Sequence, residues 1–180
     1  MPRWIIFLAC WLTCGFLFAE TSIPPLSGPV VDTASLLSSA EKSQLEQLIL
    51  HIKQQKEAQI QVLIIPELKQ ETIEGYAIRV ADQWKIGDQK RDDGMLIVLS
   101  QRDRRVRIEV GQGLEGTFTD YWAHSVIDHL LIPNFKTQNY ARGFGLLLQD
   151  VAQNLGIETG TKQYKPQRKK SFSPAIMLVL

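Results

Sequence analysis

The sequence predicts an α/β fold, a small sheet layered with helices. Two amphipathic runs at helical spacing, 45–52 and 73–84, alternate with apolar strand-like runs at 59–65 and 94–99. A further run, 104–110, alternates apolar and charged residues, and two more helical patterns follow it. Helix, strand, helix, strand, strand, helix, helix is the order of a layered α/β sandwich.

Each element has its own signal. Thr21 to Pro29 holds three prolines and a glycine and reads as an extended lead-in. A short strand near Gly28 to Val31 is a candidate fourth member of the sheet. Ser38 and Glu41 form a capping-box pattern ahead of Leu45, Leu48, Ile49 and Ile52, one apolar stripe. Gln59 to Ile65 is strand-like and Pro66 stops it. Thr72 is placed to cap a second helix with Ile73, Tyr76, Ala77, Val80 and Trp84 on its apolar face, and Gly87 is expected to end it. Gly94 to Leu99 is apolar without a break, as in a central strand covered on both sides.

From Arg104 to Val110 the pattern changes. Val106, Ile108 and Val110 should face one way, and Arg105, Arg107 and Glu109 the other, so one face is polar or lines a site. The turn Gly111-Gln112-Gly113-Leu114-Glu115-Gly116 leads to a helix near Thr119 to Leu131, with Pro133 marking its end. A last helix runs from about Asn139 to Leu155, with Phe144, Leu147, Leu148 and Val151 buried and Gly156 as its cap.

The ends carry addresses rather than fold. Arg3 is the only charge before Glu20, and Trp4 to Ala19 is almost wholly apolar, the pattern of a secretory signal cut after Ala19. Leu17 stands where a second small residue is expected, which leaves a retained membrane anchor as the alternative for residues 1–19. Both routes place the body, residues 20–160, outside the cytoplasm, in a periplasmic or equivalent compartment. Cys10 and Cys14 lie inside this leader, so the body has no thiol chemistry and no disulfide.

Charge is unevenly distributed. Residues 20–161 hold 14 Lys or Arg against 19 Asp or Glu, an acidic balance that argues against nucleic acid as a partner. Lys162, Lys165, Arg168, Lys169 and Lys170 then precede an apolar run to Leu180. This tail, 161–180, reads as a solvated basic segment, a membrane-surface contact or the opening of a span.

The chemistry-bearing residues are mainly carboxylates. His51, His124 and His129 show no zinc-like spacing, and His124 and Asp128 read as a surface pair four residues apart. Gly111-Gln112-Gly113 lacks the Lys-Ser or Lys-Thr of a phosphate loop and reads as a tight turn. Asp92 and Asp93 precede a buried strand, Glu109 lies on the polar face of the next, and Glu115 and Asp120 flank a helix start. Asp32 folds back beside them if all converge at the end of the sheet where open α/β sheets bind ligands. Carboxylates gathered in one place repel, and a hard cation relieves that cost, calcium first and magnesium second. The competing reading makes them ordinary capping and turn acids: Asp120 at a helix start, Asp92 bracing a turn, Glu109 paired with an arginine.

Taken together, several stretches resemble the TPM domain family. They are Gly28 to Leu37, Thr72 to Ala77, Trp84 to Gly87, Asp93-Gly94, Arg104 to Gly116, Thr119-Asp120, Ile132 to Phe135 and Asn139-Tyr140. The resemblance implies a three-layer α/β/α sandwich around a small mixed sheet, on the far side of a membrane. It also implies calcium binding in some members, phosphatase activity in plant relatives, and maintenance of membrane protein complexes in others. The family's acidic positions fall on Asp32, Asp93, Glu109, Glu115 and Asp120, with Asp92 beside them. Asp93 stands where Asn is common, and Ser35 where Gly is common.

Two functions follow as expectations. One is a non-catalytic domain that binds a divalent cation through Asp32, Asp92, Asp93, Glu109, Glu115 and Asp120 and serves membrane-protein assembly or maintenance. The other is a metal-dependent phosphomonoester hydrolase acting on a phosphorylated substrate, with Arg105 or Arg107 binding phosphate. The chain shows no phosphoaspartate motif, so no Asp is assigned as nucleophile. Membrane proteins or the membrane surface are the expected partners.

Overall fold

A computed structural model describes residues 20–56 and 58–157. The leader with Cys10 and Cys14, and the basic-apolar tail, lie outside the described residues. Among those described, no helix is long and apolar enough to cross a membrane.

Four strands form one sheet in the order β1 (Val30–Asp32), β2 (Gln59–Ile65), β3 (Gly94–Ser100) and β4 (Arg105–Val110). The first three are parallel and β4 runs antiparallel to β3, so the sheet is mixed. α1 (Ser39–Lys56) and the helices after β4 cover one face, and α2 (Ile73–Trp84) covers the other. The sheet's residues sort by parity between the two cores. Ile60, Val62, Ile64, Met95 and Ile97 pack under α1, while Leu63, Ile65, Leu96 and Val98 pack under α2. This is the three-layer α/β/α sandwich.

From β1 to β3 the chain steps across the sheet in one direction, yet α1 and α2 lie on opposite faces. Two right-handed crossovers stepping the same way would leave both helices on one face. One of these connections therefore has the rare left hand.

Local signals explain most boundaries. Glu41 accepts the Ser38 amide at 2.8 Å, and Ser38 Oγ accepts the Glu41 amide, closing the capping box at α1. Ser35, in the loop before it, has φ of 55°, a left-handed conformation that favours glycine. Thr72 Oγ1 accepts Gly75 N–H to cap α2, whose buried face is Ile73, Tyr76, Ala77, Val80 and Trp84. Lys85 ends α2 in the left-handed region, two residues before the expected Gly87. Gly87 instead packs against Gly94, where a Cβ would come within 2.7 Å of the Gly94 nitrogen.

Two boundaries differ more. The fourth strand exists as Val30–Asp32, displaced from the expected Gly28–Val31. The helix after the glycine turn does not stop before Pro133. α3 (Asp120–Val126) passes into a π-helical turn, Ile127–Leu131, and then α4 (Ile132–Lys136), with Pro133 in the first turn of α4. Ile132 N–H donates five residues back to Ile127 O. That wider turn removes the clash an α-helical Pro133 would make with the preceding turn. α5 (Tyr140–Asn154) returns along α1, and Gly156 follows it with φ of 69°.

Residues 20–24 are a strap along α2. Glu71 Oε1 accepts Thr21 N–H at 2.7 Å, and Arg79 Nη2 donates to Thr21 O at 3.0 Å. Tyr76 Oη donates to Ser22 O at 3.2 Å, and Trp84 Nε1 to Pro24 O at 3.0 Å.

Candidate functional site

The expected acids divide between the two ends of the sheet. Asp32 pairs with Ile64 near the carboxyl ends of β1 and β2, whereas Gly94 pairs with Gln59 at their amino ends. Five residues of extended strand separate these levels, about 16 Å at ~3.3 Å each. Asp32 therefore does not join the others, and its carboxylate accepts the amides of Ala34 and Leu37 at 3.0 and 2.9 Å. The remaining five gather at the amino end of β3, because antiparallel β4 finishes where β3 begins. That is the end opposite to the crevice expected at the carboxyl ends of the strands.

There, the loop 88–93 is closed on itself. Buried Asp93 accepts Asp88 N–H at 2.8 Å and Arg91 Nε at 2.7 Å. Burial pushes its carboxyl up, but the Asp88 amide and Arg91 outweigh that and hold it below the usual carboxylate range. Asp88 accepts the amides of Lys90 and Arg91. Asp92 adopts φ of 47° and accepts Gln112 N–H on Oδ2 at 2.8 Å, while its carbonyl accepts Gly113 N–H at 3.0 Å. The glycine turn thus seats on the acidic loop. A Cβ on Gly111 would lie 2.2 Å from Asp92 O, and one on Gly113 1.9 Å from Arg91 O. These glycines serve close backbone packing.

Glu109, Glu115 and Asp120 share a cleft of about 390 Å³ between β4 and the start of α3, with Arg107 and Thr119 also on its walls. Glu109 accepts Arg107 Nε at 2.6 Å and Nη2 at 3.3 Å. That hydrogen bond, with the charges of Glu109, Glu74 and Asp120, raises the Arg107 guanidinium above its ordinary value despite its burial. Thr119 Oγ1 accepts Trp122 N–H as the α3 cap. Glu115 and Asp120 are exposed. Arg105 is exposed at the far end of β4 beside Ser100.

Calcium takes six to eight oxygens at about 2.3–2.6 Å. Among the described residues no three His, Cys, Asp or Glu side chains form a group that could hold a metal ion. The six acids therefore do not fit a preformed calcium cage: Asp32 is remote, Asp92 and Asp93 brace the loop, and Glu109 pairs with Arg107. A smaller hollow of about 150 Å³ lies on the α2 side of β4, walled by Ile78, Ala81 and Ile86 with Asp82 and Asp92. Glu109 and Val110 line both hollows. Neither the strap nor the second hollow announced itself in the sequence, because both depend on residues far apart along the chain.

Known structures share this architecture. The N-terminal domain of a protein from P. gingivalis, solved by NMR, is 33% identical with a TM-score of 0.65, covering 70% of this chain and 80% of that one. The BA42 protein from the psychrophilic bacterium Bizionia argentinensis is 16% identical with a TM-score of 0.57, over 69% of this chain and 85% of that one. The N-terminal domain of the cg2496 protein from Corynebacterium glutamicum is 14% identical with a TM-score of 0.59, over 82% and 93%. The last two show likeness of fold alone. No curated protein matches the sequence. The TPM domain family matches residues 30–154. On this match, and on the fold it shares with the P. gingivalis domain, the chain belongs to the TPM domain family.

Proposed function

We propose that this chain is an extracytoplasmic, non-catalytic TPM domain that serves membrane-protein assembly or maintenance and takes a divalent cation at the cleft between β4 and α3. The apolar leader supports the location, and the basic-apolar tail supports work beside a membrane. One observation carries the cation reading: Glu115 and Asp120 face the same cleft as Glu109 and are exposed there. Two solvated carboxylates suit an ion that keeps most of its water, so weak binding of magnesium or calcium is expected rather than a dry cage.

Titrating the protein with either ion at millimolar concentration should raise its thermal midpoint, because a ligand favouring the folded state stabilises it. Glu115→Gln with Asp120→Asn should remove the rise. A response that survives this double change, or no response in the parent protein, defeats the assignment.

Arg107 favours a second reading, phosphomonoester hydrolysis, since a guanidinium beside carboxylates suits a phosphoryl group. Its fork is engaged by Glu109, and the Thr119 hydroxyl accepts an amide as a helix cap. Turnover of an activated phosphomonoester with added metal, lost in Arg107→Ala, would replace the non-catalytic reading.

A further inference from the structure

β4 is the last strand of the sheet, and its unpaired edge runs between the two hollows, with Val106 and Val110 half-buried and Ile108 buried along it. Antiparallel ladders alternate bonded and non-bonded pairs. Gly111 N–H donates to Gly94 O at 2.8 Å. Counting back along the register makes Leu96 with Glu109, and Val98 with Arg107, bonded pairs as well. The main-chain N–H and C=O groups of Val106, Ile108 and Val110 therefore point away from β3, and among the described residues no strand pairs with that side. A strand laid there would send alternate side chains to opposite faces, one set toward each hollow.

The walls define which side chains fit. On the α2 side, Ile78, Ala81 and Ile86 suit an aliphatic stem, and Asp82 and Asp92 suit a positive head beyond it. On the α3 side, Glu115 and Asp120 suit a second positive head. The cation among these lining residues, Arg107, is already bonded to Glu109. We propose that the free edge of β4 docks an extended basic segment of a partner protein, which adds a fifth strand and sets alternate Lys or Arg side chains into the two acid-rimmed hollows. This docking shares Glu115 and Asp120 with the cation reading, so cation and basic segment compete there, whereas its main-chain groups and Asp82 belong to the docking alone. The charged pair Arg107–Glu109 on an edge strand discourages indiscriminate pairing, so a partner must bring complementary charge.

The test uses the full chain labelled for amide NMR and a capped peptide, Lys-Lys-Ile-Lys-Lys, beside its fully N-methylated counterpart of equal charge. The expected result is binding of the first peptide, with shifted and more slowly exchanging amides at Val106, Ile108 and Val110. The N-methylated peptide should bind at least about tenfold more weakly, as should the first peptide to Glu115→Lys with Asp120→Lys, whose thermal midpoint is checked separately. Equal binding of the two peptides, shifts confined to other elements, or no binding at about 1 mM overturns the proposal. If the three amides are protected without peptide, and removing residues 161–180 exposes them and restores peptide binding, the occupant is the chain's own tail. The partner proposal then fails.

Discussion

Thr21 and Glu71 stand 50 residues apart in sequence, yet the Thr21 amide donates to Glu71 Oε1 at 2.7 Å. Arg79 completes the junction, bonding both Glu71 oxygens at 2.8 Å and the Thr21 carbonyl at 3.0 Å. The strap from Glu20 is thereby part of the folded body. Removing Arg79 leaves a largely buried carboxylate and a buried carbonyl short of a donor. With the guanidinium one-third exposed, Arg79→Ala should cost about 1–2 kcal/mol in urea unfolding. Glu20→Gln, at an exposed ion pair, should change stability by less than about 0.5 kcal/mol. Equal effects of the two would mean that the strap contributes nothing through this junction.

Acid should loosen the same region. Burial pushes the Glu71 carboxyl up, but hydrogen bonds from Arg79 and Thr21 win and hold it below the usual range. The Leu68 amide and the Ser100 hydroxyl lower Asp103, and Asp93 is lowered at the acidic loop. Depressed carboxyls bind fewer protons in the folded chain than in the unfolded one. Their contribution is therefore present above the unfolded value near 4 and is lost as pH falls through the lower folded values. Urea midpoints should be flat from about pH 7 to 5 and decline below that. Glu71→Gln should decline less steeply, and an unchanged slope would remove Glu71 from the explanation.

Alkali acts on the strap through Tyr76. Burial, then the nearby Glu71 charge, pushes its phenol up to about 12, with Arg79 opposing. A raised phenol favours the folded state below the unfolded value near 10, and that advantage disappears as pH rises toward 12. Ultraviolet titration should show one tyrosine ionising late, together with the loss of folded signal. Tyr76→Phe should remove the late step. Persistence of that step in the variant would assign it to another tyrosine.

What the sequence made legible was whatever repeats locally. The buried face of α2, from Ile73 to Trp84, matches the helical period residue for residue, because a single apolar face meets the sheet. The capping box at Ser38 and Glu41 was equally readable, since both partners lie within one turn. Pro133 misled because a π turn lets a proline sit within a longer helical segment, and no periodic pattern reports that change of hydrogen bonding. The site was half legible. Residue type picks out the acids, and a turn-bracing Asp92 and a Glu109 paired with an unspecified arginine are among its alternatives; the structure makes that arginine Arg107. Which end of the sheet each acid occupies depends on strand direction, and the reversal at β4 separates Asp32 from the rest.

The glycine turn offers the sharpest test of how the acidic end is built. Gly111 and Gly113 lie against the carbonyls of Asp92 and Arg91; the Gly113 amide donates to the Asp92 carbonyl and the Gln112 amide to the Asp92 carboxylate. A methyl group on Gly113 would sit 1.9 Å from Arg91 O, so the turn must lift away and break those bonds. Gly113→Ala should destabilise by about 3 kcal/mol, the upper range for overpacking at a tight site. Gly116→Ala has open space around its new Cβ and should change little. Amide spectra should show the Gly113 change spreading to Asp88 and Asp93, whose bond anchors the loop to the start of β3. Equal stability of the two variants would mean that the turn and the loop fold independently, and the shared seat between them would lose its structural role.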